Sequence, residues 1–430
     1  MTGILIMIVG ILIGALLLNI PIAFALALIG FVIVFIEGSV PLSFFIQSTF
    51  GASDSFSLLA IPFFILAGEI MSTGGIAKRL VDFIQSMVKS LTGGLGLVTI
   101  LTSLIFAAIS GSGAATVASV GGIMIPYMIS KGYSKPYAAA LAASSGSLGP
   151  IIPPSIIFIL YGVMASVSIG DMFIAGIIPG LLMAMSLLLV NYFVSKKEKF
   201  EVQNNEVESK KSFWSALNEA KYGLLAPVII LGGIYGGIVT PTEAAVIAVV
   251  YSFLVSVIIY KELTISQLGE VFKKASLTSG TIMIFVSAAS FFGQVLSMEQ
   301  IPQQIATAIS NITTNEIIIL LLINVFLLLV GMFIETVAAV ILFVPLLLPI
   351  VLPLGVDPVH FGIVVCMNLS LGLITPPLGI NLFIASKVAN IRFESTFKYV
   401  GIIFIAILSV LLIVTFVPEI STFLPELLSD

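Results

Sequence analysis

The sequence predicts an all-α polytopic membrane protein built as two inverted repeats. Each repeat has five transmembrane spans, one of them a broken helix, plus one re-entrant helical hairpin. The first observation is composition: of the 430 residues, 59% are hydrophobic and 9% are charged, and the mean hydropathy is +1.24. Soluble domains carry about 25% charged residues. The other two observations are apolar runs of span length and a Gly/Pro break that occurs twice.

Ten apolar runs have the length that a membrane-spanning helix needs. A helix rises about 1.5 Å per residue, so about 20 residues cross a hydrocarbon core of about 30 Å. The ten runs cover approximately residues 3–18, 21–37, 58–73, 137–162, 173–195, 222–239, 241–260, 278–297, 361–386 and 399–417.

Two of these runs carry the same Gly/Pro break. It reads Ser-Leu-Gly-Pro-Ile-Ile-Pro-Pro at 147–154 and Ser-Leu-Gly-Leu-Ile-Thr-Pro-Pro at 370–377, which is 223 positions later. Tandem prolines remove two backbone donors, so a helix cannot pass through them undisturbed. In lipid, a broken helix is tolerated only where protein or a water-filled cavity covers its unpaired groups. Both breaks are therefore predicted to line a functional site.

Two further apolar stretches are interrupted midway and are predicted to be re-entrant hairpins. Residues 93–127 are interrupted by Ser-Gly-Ser-Gly at 110–113, and residues 316–350 by a segment at 331–336. If the first hairpin enters from the cytoplasm and the second from outside, all 17 Lys and Arg residues fall on the cytoplasmic side. This agrees with the positive-inside rule and places both termini outside.

The two halves are predicted to be repeats of opposite orientation, residues 1–195 and 222–430, joined by a polar cytoplasmic linker at 196–221. Thr-Val-Ala at 116–118 corresponds to Thr-Val-Ala at 336–338. Because five spans is an odd number, the second repeat must enter the membrane upside down. Inverted repeats with discontinuous helices near the midplane are typical of secondary transporters.

Each hairpin tip is predicted to face the break of its own half and to form a Na⁺ site there. Carbonyls freed at a Pro-Pro break, half-helix C-termini and Ser or Thr hydroxyls supply the oxygens that such an ion needs. The alternative is that the breaks are kinks whose polar groups are satisfied by neighbouring Ser and Thr. The predicted ligands are Ser110, Ser112, Gly149, Ile152 and Pro154 for the first site, and Gly331, Gly372, Thr375 and Leu378 for the second.

An anionic substrate is expected at the half-helix N-termini that follow the tips, near residues 114–116 and 336–338. Unpaired amides there attract negative charge without an arginine. Among the acids placed in the membrane, Glu335 is expected to contact substrate, water or a proton. Snorkelling and function both stay open for Glu69, and Glu243 is expected to cap a helix. The predicted substrate contacts are Ser112, Thr116, Ser155, Glu335 and Thr336.

The sequence also excludes several functions. One cysteine, Cys366, and one histidine, His360, exclude a disulfide framework and make a Cys or His metal cluster hard to build. His360 is expected to be exposed near the membrane surface. No GxxxxGK loop occurs, so ATP coupling within this chain is excluded. The chain is expected to bind no nucleic acid and to be no enzyme, because no nucleophile lies beside a base and no acid dyad has helical spacing.

Three motifs in combination resemble the large membrane subunit of tripartite ATP-independent periplasmic (TRAP) transporters. They are Ser-Gly-Ser-Gly-Ala-Ala-Thr at 110–116, Gly-Pro-Ile-Ile-Pro-Pro-Ser at 149–155 and Thr-Pro-Pro-Leu-Gly-Ile-Asn at 375–381. The resemblance covers essentially the whole chain. Many family members have Asp at the second tip, where this chain has Glu335.

The resemblance implies a bacterial inner-membrane importer of an organic carboxylate, of the sialic acid or C4-dicarboxylate type. It implies coupling to Na⁺ and an elevator mechanism, in which a moving unit carries the substrate across the membrane. It also implies a small four-span membrane subunit and a periplasmic substrate-binding protein as partners. The alternative is a stand-alone Na⁺- or H⁺-coupled anion symporter or exchanger with the same inverted-hairpin fold. Uptake by this chain alone would favour the alternative.

Overall fold

Within the residues that it describes, the computed structural model contains helices and connecting segments and no strand. The described residues are 7–8, 10–11, 14–15, 17–18, 20–37, 41–88, 91–200, 212–313 and 315–429. The all-α prediction is confirmed for this part of the chain.

The helices before the central linker contain the first hairpin and the first broken span. They are α1 (Ile22–Glu37), α2 (Leu42–Ser53), α3 (Ala60–Thr73), α4 (Ile76–Met87), α5 (Gly94–Ser110), α6 (Gly113–Ser130), α7 (Lys135–Gly146), α8 (Ile156–Ala165), α9 (Ile169–Ala175) and α10 (Ile177–Glu198). Helix α6 contains a π-helical stretch, Val117–Gly121. Such stretches are frequent at functional sites.

The helices after the linker contain the second hairpin and the second broken span. They are α11 (Phe213–Tyr235), α12 (Pro241–Ile259), α13 (Ile265–Met298), α14 (Ile301–Ile312), α15 (Glu316–Phe333), α16 (Thr336–Val351), α17 (Pro358–Gly372), α18 (Ile380–Ala389), α19 (Phe397–Phe416) and α20 (Glu419–Ser429).

Most predicted spans coincide with these helices. Eight helical stretches in the described part are long and apolar enough to cross a membrane. The hairpin at 93–127 appears as α5 and α6, and the hairpin at 316–350 as α15 and α16. Each broken span appears as two short helices, α7 with α8 and α17 with α18. The run at 3–18 lies mostly outside the described residues.

Four helices, α2, α4, α14 and α20, lie outside the predicted spans and hairpins. Helix α4 shows why they escape a search for apolar runs. Its buried face includes Ile76, Leu80 and Ile84, whereas Lys78 is exposed. An amphipathic helix of this length suits the membrane surface better than its interior. Helices α10 and α11 also extend into the predicted linker, of which residues 201–211 lie outside the described part.

The helices can be grouped into two sets, each drawn from both halves of the sequence, with the largest contacts inside each set and smaller ones between them. The arm helices are α1–α4 and α11–α14; α3 packs on α12 and α13, and α1 and α2 pack on α13. The core helices are α5–α10 and α15–α19; α15 packs on α17, α18 on α7, and α8 on α16. An ion pair of 2.7 Å joins Arg79 to Glu262 within the arms, with the guanidinium 3.8 Å from the ring centroid of Tyr260.

Candidate functional site

The first hairpin tip, residues 110–116, is a tight turn held by its own hydroxyls. Gly111 has a φ of +58°, a conformation that favours glycine because other residues carry a Cβ. Ser112 then caps α6, with its Oγ 3.4 Å from the Ala115 amide nitrogen. Thr116 Oγ1 donates to the Ser112 carbonyl over 2.8 Å and lies 3.0 Å from Ser110 Oγ. These bonds hold the tip in one conformation.

The first break, residues 147–155, follows α7 as a series of tight turns. The amides of residues 147–149 each bond to the carbonyl three residues earlier. The carbonyls of Gly149, Ile152 and Pro154 accept no hydrogen bond from any residue that the structure describes. Because backbone carbonyls in protein interiors almost always find a partner, these oxygens are suited to bind an external group.

The first tip and the first break touch where glycine leaves room for backbone. A Cβ at Gly149 would lie 2.5 Å from the carbonyl carbon of Ser112 and 2.6 Å from its oxygen. A Cβ at Gly111 would lie 2.7 Å from the carbonyl oxygen of Pro154. Of the predicted first-site residues, the structure therefore brings Ser110, Ser112, Gly149 and Pro154 together. The side chain of Ile152 packs against Gly180.

The second tip and the second break meet in the same way. A Cβ at Gly372 would lie 2.6 Å from both the Cα and the carbonyl carbon of Gly331. Thr375 lies on this break, and its Oγ1 donates to the Leu371 carbonyl over 2.7 Å. The side chain of Leu378 is 47% exposed. Of the predicted second-site residues, the structure brings Gly331 and Gly372 into backbone contact and places Thr375 on the same break; the role of Leu378 stays a prediction.

The two breaks also contact each other across the halves of the sequence. Ser370 Oγ donates to the carbonyl of Ser147, and these two serines are 223 positions apart in the repeated motif. Asn381 Nδ2, from the first turn of α18, donates to the carbonyl of Ala143 over 3.2 Å. All three polar side chains are fully buried. These residues lie within the repeated motifs and have no predicted role; a polar residue inside an otherwise apolar break is the signal that points to them.

The predicted substrate contacts differ in accessibility. Thr116, Ser155 and Thr336 are buried, and Ser155 Oγ donates to the carbonyl of Pro150 within its own break. Ser112 is half-buried and Glu335 is exposed. In this conformation only the last two present a polar side chain to an incoming ligand, so the substrate role of the other three stays a prediction.

The carboxylate of Glu335 caps the helix that follows the second tip. Its Oε2 accepts from the amide nitrogens of Val337 at 3.0 Å and Ala338 at 3.3 Å. The expectation of unpaired amides at 336–338 is therefore wrong. A carboxylate at the N-cap supplies an acceptor for amides that have no partner within the helix and complements the helix dipole.

We expect Glu335→Ala to lower the free energy of unfolding by about 1 kcal/mol, because two amides of α16 lose their acceptor. Glu335→Asp keeps a carboxylate that is favoured at N-caps and should retain most of the stability. The measurement is the unfolding midpoint of the purified protein in detergent at fixed NaCl. Equal midpoints for Glu335→Ala and the wild type would contradict the capping role.

Two other polar residues have settled positions. Glu243 forms a capping box with Thr240, accepting from its amide over 2.8 Å, which confirms the expected capping role. The expectation that His360 is exposed is wrong, because the residue is only 1% accessible and its Nδ1 lies 2.7 Å from Ser421 Oγ. The reason is that α20, which lies beyond the last predicted span, folds back over the start of α17. Glu69 is half-buried in α3, and its role stays open.

Neutral oxygens dominate both tip–break contacts. The described residues include no group of three or more His, Cys, Asp and Glu side chains that could hold a metal ion. Carbonyl and hydroxyl oxygens suit hard cations rather than Zn²⁺ or copper. The residues present therefore fit a cation such as Na⁺ and do not fit a transition metal.

A family model described as "Tripartite ATP-independent periplasmic transporter, DctM component" matches residues 9–420. The chain belongs to this family. DctM relatives include the Oleidesulfovibrio alaskensis "Isethionate TRAP transporter permease protein DctMQ", 45% identical over 95% of this chain; the chain spans 64% of that protein's length. The Vibrio cholerae "Sialic acid TRAP transporter large permease protein SiaM" is 37% identical over 96% of each chain.

A further DctM relative is the Pseudomonas aeruginosa "C4-dicarboxylate TRAP transporter large permease protein DctM", 40% identical over 88% of each chain. These relatives are named as permeases, which agrees with the expected transporter. Among solved structures, the Alcanivorax borkumensis YdaH transporter superposes with a TM-score of 0.62 at 14% identity, covering 86% of each chain. Neisseria gonorrhoeae MtrF superposes with a TM-score of 0.58 at 15% identity, covering 87% of this chain and 84% of the MtrF chain. The polytopic transporter fold is thereby confirmed.

Proposed function

We propose that the chain is the transport subunit of a TRAP system in a bacterial inner membrane, importing an organic carboxylate together with Na⁺. The observation that carries the proposal is the backbone contact between each hairpin tip and a broken helix, Ser112 against Gly149 and Gly331 against Gly372. Discontinuous helices of this kind bind substrate and coupling ions in secondary transporters. The names of the relatives support a sialic acid or C4-dicarboxylate type of substrate.

Two Na⁺ sites are proposed at the two contacts. The first uses Ser110 and Ser112 with the unpaired carbonyls of the first break, and the second uses Gly331, Gly372, Thr375 and Leu378. A buried carbonyl without a partner is costly, and a cation removes that cost. Moving one Na⁺ inward yields about 2.3 kcal/mol per 100 mV. Two ions leave one net positive charge with a monoanion, which the potential drives inward, and none with a dianion, for which the Na⁺ concentration gradient supplies the energy. The substrate is proposed to meet Ser112 and Glu335 first.

The elevator mechanism is proposed because the most extensive helix packing lies within the arm helices or within the core helices, with smaller contacts between the two sets where α3 and α4 meet α5 and where α13 and α14 meet α16. The core helices, which carry both tips and both breaks, would move, while the arm helices stay fixed in the surrounding lipid. Two partners are proposed, a small four-span membrane subunit beside the arms and a periplasmic protein that delivers substrate. The tripartite family description supports two further components. Both termini are proposed to be periplasmic.

The test is the unfolding midpoint in detergent against NaCl, with KCl at equal ionic strength as control. A ligand that binds only the folded state adds RT ln(1 + [L]/Kd) of stability, so we expect Na⁺-specific stabilisation. Ser112→Ala and Thr375→Ala should each raise the NaCl concentration that gives half of the maximal stabilisation. Thr281→Ala is the matched control, because Thr281 Oγ1 donates to the carbonyl four residues earlier over 2.8 Å, as Thr375 does. If the unfolding midpoint rises equally with NaCl and with KCl, the proposal of sodium coupling is contradicted.

The stand-alone alternative is distinguished by reconstitution. We expect proteoliposomes with a Na⁺ gradient to accumulate substrate only when the small subunit and a binding protein accompany the chain. Sialic acid, a C4-dicarboxylate and isethionate make the first substrate panel, because relatives carry those names. Full uptake by the chain alone would favour the stand-alone class.

A further inference from the structure

Asn381 is a buried polar side chain of the second half that reaches the junction between the first tip and the first break, beside the apolar side chain of Leu373. Its carboxamide lies between two glycines: a Cβ at Gly113 would be 3.2 Å from Asn381 Nδ2, and a Cβ at Gly146 would be 3.1 Å from it. Gly113 follows Ser112 at the tip, and Gly146 is the last residue of α7. The amide group therefore lies beside the first proposed cation site.

The orientation of this amide is fixed by one hydrogen bond. Nδ2 donates to the carbonyl of Ala143 over 3.2 Å. The reverse orientation would set two oxygens against each other, so Oδ1 must point away from Ala143. The backbone amide of Asn381 donates to the carbonyl of Leu373 over 3.1 Å, which holds the residue at the end of the second break.

Asn381 Oδ1 is left without a hydrogen-bond partner in the described part of the chain, and the residue is 0% exposed. A buried amide oxygen without a partner is destabilising, and buried polar atoms of this kind call for an explanation such as an ion. Ser144 Oγ and Ser147 Oγ, on the adjoining helix end and break, are also buried without partners. Three oxygens of ligand type are thus unsatisfied around one junction.

We propose that Asn381 Oδ1 is a ligand of the Na⁺ bound at the first tip and break. This inference rests on the proposed sodium coupling and adds to it a side chain from the opposite half of the chain. The first cation site is then completed by the second broken span, so an ion there also fixes α18. An amide oxygen is a neutral, hard donor and matches the carbonyls already assigned to the site.

The test compares two substitutions that remove the same hydrogen-bond donor. Asn381→Leu removes both the donor and the oxygen, whereas Asn381→Asp removes the donor and keeps an oxygen. For each protein, the unfolding midpoint is followed against NaCl, with KCl as reference. We expect Asn381→Leu to raise the half-saturating NaCl concentration by about tenfold or more, and Asn381→Asp to leave it unchanged or lower it.

A purely structural role predicts a different result. Both variants lose the bond to Ala143, so their half-saturating NaCl concentrations would change equally. That result, or an unchanged Na⁺ response in Asn381→Leu, overturns the inference. If Asn381→Leu does not fold, Asn381→Ala removes the oxygen without adding bulk and is read in the same way.

Asn191→Ala is the matched control for loss of a buried amide. Asn191 bonds to the carbonyl of Gly93 over 2.9 Å and accepts from Tyr137 over 2.9 Å, away from both breaks. Its substitution should lower stability without changing the half-saturating NaCl concentration. A wild type that responds equally to NaCl and KCl would refute sodium coupling and this inference together. A sodium-specific wild type that is weakened by Ser112→Ala but not by Asn381→Leu would refute this inference alone.

Discussion

Gly149→Ala is expected to abolish Na⁺-dependent uptake and to lower the unfolding midpoint. The added Cβ would lie 2.5 Å from the Ser112 carbonyl carbon and 2.6 Å from the Gly113 amide nitrogen. These neighbours are backbone atoms and cannot rotate away, so the tip and the break must separate. Overpacking of this kind costs about 1–3 kcal/mol, and the separation would also disperse the proposed cation ligands. Uptake and the NaCl-dependent midpoint are the two measurements.

Gly280→Ala is the control for this substitution. Gly280 lies within α13, and nothing approaches within 4 Å of a Cβ placed there. In a helix interior, alanine is about 0.5–1 kcal/mol more favourable than glycine, so this variant should be as stable as the wild type or slightly more stable, with normal uptake. A Gly149→Ala protein with wild-type midpoint and uptake would show that the first tip and break do not depend on this contact.

A disulfide between the arm and core helices is expected to stop transport. Ser72 on α3 and Ser119 on α6 touch through their hydroxyl oxygens, so Ser72→Cys with Ser119→Cys places two thiols within reach of a bond. Cys366 is buried and should not interfere. We expect oxidation of the double variant to abolish uptake in proteoliposomes and a reductant to restore it, because an elevator requires the two units to slide.

The matched control is a cross-link within the core helices. A Cβ at Gly121 on α6 would lie 3.5 Å from Cβ of Ala142 on α7, a separation suited to a disulfide. Oxidised Gly121→Cys with Ala142→Cys should still transport, because α6 and α7 belong to the same unit. If the oxidised Ser72–Ser119 pair transports at full rate, the arm and core helices do not move relative to each other, and the elevator mechanism is refuted.

Local sequence determined the elements of this protein. Apolar runs define the spans because lipid admits only helices whose backbone groups are satisfied internally. The Pro-Pro motifs define the breaks because two adjacent prolines remove two backbone donors and clash with the preceding turn, whereas a single proline such as Pro126 stays inside a helix. The pairing of each tip with the break in its own half was also predictable, since Gly149 and Gly372 recur at equivalent positions. The amphipathic α4 and α20 were missed because their apolar residues form a stripe rather than a run.

Tertiary packing decided which polar atoms are satisfied. The carboxylate of Glu335 could reach substrate or its own helix, and only the turn at the tip directs it onto the amides of Val337 and Ala338. His360 is buried because α20 folds across it. Asn381 lies 238 residues from the carbonyl that it contacts, so its role depends on how α18 packs on α7. The positions of Gly and Pro determine where a helix must break, because the lost backbone hydrogen bonds depend only on neighbouring residues. Which groups bond to a broken helix depends on contacts between segments that are distant in the sequence.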